Sequence, residues 1–159
     1  MKRFFTFKIG LVLTGVCWLL VPWPTARPVA SAQEKIDKAE AVKKELVALK
    51  GTWKLITHVE GGRVVEYDDP QLYTFADEKL TVKRSDQVIA EGPLDLDPTK
   101  APKHLDFRLT SGQTDLTIYI REGDHLIQCG CRDGKTRPSD FATGTANGGE
   151  YLIVLKREK

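Results

Sequence analysis

From Thr52 to Lys156 the apolar residues recur at every second position in short runs, the period of strands with one buried face and one wet face. The clearest cases are Leu105, Phe107 and Leu109 against His104, Asp106 and Arg108, and Leu116, Ile118 and Ile120 against Asp115, Thr117, Tyr119 and Arg121. Trp53, Leu55, Thr57 and Val59 alternate with Lys54, Ile56, His58 and Glu60, and Gly61 and Gly62 turn that run into Val64 to Tyr67. Leu72 to Phe75 and Lys79 to Arg84 pair across Ala76, Asp77 and Glu78. Val88 to Leu96 carries Gly92 and Pro93, a bulge or an edge position, because proline cannot donate to a central ladder. His125 to Cys131 and Tyr151 to Lys156 bring the set to about eight strands. Strands with one apolar face must roll up or pair with a second sheet, and short antiparallel strands joined by tight turns suit closure. The expectation is a mostly β, antiparallel barrel over residues 51–159 with no internal repeat.

The segment before the strands has a different character. Lys2, Arg3 and Lys8 make a positive start, Ile9 to Val21 is an uncharged and mostly apolar run, and Pro22, Pro24 and Pro28 break any helix beyond it. The run is shorter than the ~20 residues of a spanning helix, and Ala30, Ser31 and Ala32 supply small residues for a signal peptidase. Residues 1–32 are therefore expected to be a secretory signal, with the mature chain starting at Gln33 and exported to the periplasm or beyond, without a membrane span. Lipidation at Cys17 is disfavoured by Val16, where a small residue is needed, and an uncleaved anchor is the other alternative. Loss of residues 1–32 removes Lys2, Arg3, Lys8 and Arg27 from the 24 basic residues and none of the 22 acidic ones. The balance turns from +2 to about −2, which leaves no electrostatic case for nucleic acid. Gln33 to Lys50 then reads as a helix, with Ile36, Ala39, Val42, Leu46 and Leu49 on a narrow stripe and Gly51 as its stop. Such a helix packs lightly, across a barrel end or as a spacer.

Chemistry-bearing motifs are sparse. Cys129 and Cys131 stand two apart in one strand, roughly 6.5 Å along it, where a disulfide wants Cβ atoms about 3.5 to 4.5 Å apart. Two buried thiols are the leading reading, ahead of a strained or intermolecular disulfide; a structural zinc wants four ligands, and His58, His104 and His125 lack the spacing to supply them. Asp95 and Asp97 beside Pro98 read as turn residues rather than an acid pair. With no nucleophile elbow, cysteine–histidine motif, phosphate loop or dinucleotide fingerprint, neither an enzyme nor a cofactor is expected. The longest connection, Arg132 to Gly149, is either a lid over a pocket or a structural strap, with Arg137, Pro138, Ser139, Asp140 and Phe141 its most structured part.

Gly51, Thr52 and Trp53 open the first strand and Lys156 and Arg157 end the last, and in an up-and-down barrel those strands are neighbours, so a guanidinium can stack on the indole. Together with Leu49 to Leu55, Leu94 to Lys100, Arg137 to Phe141 and Tyr151 to Glu158, this resembles an uncharacterised lipocalin-like domain family common in planctomycete bacteria, over about residues 46–158. The resemblance implies export and a barrel whose interior holds a small apolar molecule; it carries no catalytic residues. Gln128 and Gly130 depart from that family's pattern, and if they point inward they leave space and one orienting polar group, the alternative being a bulged strand with Gln128 facing water. The expected binding residues are Trp53, Phe107, Gln128, Arg137 and Phe141, with Leu109 and Ile118 also lining the interior. The competing reading is a barrel packed solid by its own side chains, acting as a structural or protein-interaction module.

Overall fold

The computed structural model describes residues 28–132, 134–143 and 150–159. Helix α1 (Pro28–Leu49) precedes nine strands: β1 (Gly51–Glu60), β2 (Arg63–Val64), β3 (Gln71–Ala76), β4 (Lys79–Arg84), β5 (Gln87–Asp97), β6 (Lys103–Arg108), β7 (Thr114–Glu122), β8 (His125–Cys131) and β9 (Glu150–Arg157). From β3 to β9 each strand pairs antiparallel with the next, and β1 pairs with both β3 and β9. Eight strands thus close into a barrel, and the two-residue β2 is an addition to the end of β1. The barrel expectation holds. The helix begins earlier than Gln33, with Pro28 at its first position, where the missing N–H costs nothing. The expected export segment lies outside the described residues except for its last five positions, which open this helix. Among the described residues no helix is long and apolar enough to cross a membrane.

The two ends of the barrel differ. At one end Trp53, Phe75, Leu80, Leu96, Leu105, Tyr119, Leu126 and Leu155 fill the interior, and Leu49 of α1 packs onto them. Val42 and Leu46 are half-buried against the same cluster, while residues 34–40 of the helix are exposed. Trp53 anchors the plug: its Nε1 donates to the Leu49 carbonyl at 2.8 Å, and the Arg157 guanidinium lies 4.0 Å from its ring centroid. Arg157 also donates to the Lys50 and Ala48 carbonyls, at 2.6 and 2.5 Å, satisfying acceptors that the helix end leaves open. Gly51, at φ 122°, makes the turn from helix to strand in a conformation other residues rarely adopt. Ion pairs Lys103–Glu45 (3.0 Å) and Lys38–Asp97 (2.7 Å) fasten the helix sideways.

Two strands depart from the alternation read in the sequence. In β1 the register with β9 slips between Leu55 and Thr57, so Ile56 is the extra residue of a bulge. Beyond a bulge every side chain changes face, which turns His58 inward, 4% exposed, where alternation from Trp53 had put it on the wet side. In β7 the faces are reversed. Directly paired residues share a face, and Leu105 and Phe107 point into the barrel opposite Thr117 and Asp115. Asp115, Thr117 and Tyr119 are therefore interior, and Leu116, Ile118 and Ile120 lie on the outside. Ile118 does not line the interior as expected, yet it is fully buried on the outer face.

Candidate functional site

Opposite the helix plug, the barrel holds a cavity of about 290 Å³, at the small end of ligand pockets in general. Leu80, Val82, Leu105, Phe107 and Ile153 form its apolar depth. Polar side chains come from the strand ends that meet at the open end: His58 from β1, Gln71 and Tyr73 from β3, Arg84 from β4, Asp115 and Thr117 from β7, Gln128 from β8 and Tyr151 from β9. Tyr67 and Arg132, from the connections after β2 and β8, stand at the rim.

Space here depends on Gly130. It faces inward opposite Tyr151, and a Cβ at this position would sit 2.6 Å from the Tyr151 ring and 2.8 Å from the Thr117 methyl. The missing side chain lets the Tyr151 ring lie against β8 instead of filling the barrel. The Thr117 hydroxyl turns away and donates to the Leu105 carbonyl.

The polar groups form two partnered sets. In one, the His58 imidazole stacks on Tyr67 with centroids 5.7 Å apart, its Nδ1 is 2.5 Å from the Tyr67 hydroxyl, and Arg84 lies 4.7 Å over the far ring. Burial pushes the His58 pKa down, so the imidazole is neutral near pH 7. In the other, the Tyr151 hydroxyl donates to Asp115 at 3.4 Å, Gln113 Nε2 reaches the same carboxylate at 3.4 Å, and Arg132 covers the Tyr151 ring at 4.7 Å. Burial raises the Asp115 pKa, with Arg132 opposing it. Arg132 also pairs with Glu60 at 3.5 Å. Burial lifts the Tyr73 hydroxyl to about 12, so it stays protonated as a donor.

Four buried polar atoms in this wall have no hydrogen-bond partner: Gln71 Nε2, Gln128 Nε2, Arg84 Nε and His58 Nε2. Buried donors without partners are uncommon and costly, about 1 to 3 kcal/mol each. His58 Nε2 is 3.8 Å from Glu60, beyond hydrogen-bond reach.

Of the expected binding residues, Phe107 and Gln128 line the cavity, as does Leu109. Gln128 and Gly130 both face inward, the condition on which they were to leave space and a polar group inside the barrel. Trp53 lies in the plug and is not a wall residue. Arg137 and Phe141 are outside the barrel altogether. Arg137 makes a two-pronged bond to Asp106, at 2.5 and 2.7 Å, and donates to the Thr117 carbonyl at 2.6 Å, all on the outer face of β6 and β7. Residues 134–143 are therefore a strap, not a lid. Ile118 and Cys129 are fully buried, and the Cys129 thiol points at the Ala142 carbonyl of the strap, 3.8 Å away. Cys129 and Cys131 are buried and not joined in a disulfide, and burial pushes Cys129 up to about 11.

The residues missed by sequence reasoning are His58, Gln71, Arg84, Asp115 and Tyr151. Nothing in the sequence reports the bulge that turns His58 inward, and Asp115 sits on a strand whose apolar residues belong to the covered outer face. Among the described residues no cluster of three or more His, Cys, Asp or Glu is placed to hold a metal ion. Comparison of the chain with protein-family models, curated proteins and solved structures finds no match in any of the three.

Proposed function

We propose that this chain is an exported, lipocalin-like binding protein that holds one small molecule in the open half of its barrel. The observation that carries this reading is the cavity itself, with unpartnered buried polar atoms among the residues that line it. A barrel packed for structure alone fills this space with side chains. Here about 290 Å³ is kept open, with the small Ala90 in its wall. Apolar depth with polar groups at one end is the general character of small-molecule sites, and it suits an amphiphile better than a wholly apolar compound. The resemblance to lipocalin-like domains supports the same reading, and so does the export-type segment at residues 1–32.

Native mass spectrometry of protein purified gently from its own host tests this. The expected result is a reproducible adduct of one small molecule per chain, lost on denaturation and missing from an Ala90→Phe variant that fills the cavity. A bare chain mass, together with no uptake of small amphiphiles by the purified protein, overturns it.

A further inference from the structure

The cavity is chemically one-sided. Its unpartnered buried atoms are all nitrogens, and three of them, Gln71 Nε2, Gln128 Nε2 and Arg84 Nε, can only donate. Gln71, Gln128 and His58 are each 4% exposed, so water at the surface does not supply their missing acceptors. Two polar groups of the same cavity are already engaged: the Asp115 carboxylate accepts from Gln113 and Tyr151, and the Thr117 hydroxyl donates to the Leu105 carbonyl. Charge points the same way. Arg132 is matched by Glu60, whereas Arg84 lies over the Tyr67 ring and has no carboxylate partner among the described residues.

We infer that the ligand is a monoanionic amphiphile, a carboxylate with a short apolar tail, whose head accepts hydrogen bonds from Gln71, Arg84 and Gln128 and whose tail lies against Leu80, Leu105 and Phe107. The Arg84 guanidinium, in no ion pair among the described residues, stands beside two amide donors and suits a head with one negative charge. A dianionic head would bring a second charge next to Asp115 with no cation free to balance it. His58, neutral, adds a further donor to this wall in its Nε2–H tautomer, in which Nδ1 accepts from the Tyr67 hydroxyl. Charge-assisted bonds from Arg are the strongest available here. The inference deepens the small-molecule reading above and rests on it.

Calorimetric titration of the full chain near neutral pH with octanoate, octanol and octylamine separates the two. The expected order is octanoate tightest, octanol weaker by about tenfold or more, and octylamine without measurable binding. Arg84→Met is expected to lower octanoate affinity by a similar factor of about ten or more while leaving octanol unchanged, and Gln71→Leu to do so to a smaller degree. Retained octanol binding shows that each variant still folds around its cavity. Octanol binding as tightly as octanoate, or octanoate binding unaffected by Arg84→Met, overturns the anionic-head assignment while the small-molecule reading stands. No binding of any of the three at millimolar concentration overturns both.

Discussion

His58 and Asp115 face one cavity, and burial acts on them in opposite directions. Burial lowers the folded-state pKa of His58, so the unfolded chain binds more protons than the folded one wherever the pH lies between the folded value and the ordinary value near 6.5. The contribution of His58 is complete above about pH 6.5 and is lost as pH falls below it. Desolvation lowers His104 as well, first among its causes, so it adds to the same slope from the outer face. Asp115, raised by burial, does the reverse at more acid pH: its cost is absent below the usual carboxylate range and grows as pH rises through it. Urea titrations from pH 5 to 7 are therefore expected to show stability rising with pH. The slope should flatten in His58→Gln and flatten further when His104→Gln is added. An unchanged slope in the double variant would mean that neither histidine is desolvated in solution. At this scale the sequence is least legible. Trp53 stacking on Arg157 follows from two strand ends being neighbours, and Gln128 stands out against the pattern of its strand. The inward turn of His58 depends on one extra residue, Ile56, which has no signature of its own.

Among the elements, the β7 strand and the strap after β8 account for most of what pattern reading got wrong. A two-residue period says that a strand has one covered face but not what covers it. On β6 the covered face is the barrel interior, whereas on β7 the apolar Leu116, Ile118 and Ile120 look outward, and Ile118 is fully buried there. Arg137 holds that strap down through Asp106 and the Thr117 carbonyl. Both partners of the pair are about one-fifth exposed, so solvent screens part of its strength. Arg137→Ala is expected to cost about 1 kcal/mol in urea unfolding, the range of a partly screened charge-assisted bond. The sharper readout is Cys129, which lies buried beneath the strap with its pKa pushed up to about 11. Its reaction with a thiol reagent should be slow in the parent protein and clearly faster in the variant. Octanoate affinity should be the same in both, since the strap lies outside the barrel wall. A change in affinity on loosening the strap would restore it as a lid.

For the whole molecule, one end of the barrel is given to stability and the other to the cavity, and α1 makes that division possible. An eight-stranded barrel can fill its own interior. Here the fill is concentrated near Trp53, Phe75, Leu126 and Leu155, where Leu49 closes the stack, and the polar strand ends opposite are left open. The sequence carries the parts of this arrangement, namely a helix with a narrow stripe, a glycine stop and alternating strands. Which end the helix covers is decided by the short Gly51 turn and by Arg157 reaching its last carbonyls, contacts that form only once β1 and β9 have met. If α1 is part of the core, helix and barrel must unfold together. Leu49→Ala empties a fully buried position and should cost about 2 to 5 kcal/mol, whereas Val47→Ala, on the opposite side of the same turn and 76% exposed, should cost close to nothing. Loss of helical ellipticity and the change in Trp53 fluorescence should follow one curve in urea, shifted to lower concentration by Leu49→Ala alone. Two separated transitions, with the fluorescence change unmoved by Leu49→Ala, would show that the barrel end is sealed without the helix. In that case the plug is Trp53 and its strand neighbours, and α1 is a tether lying over it.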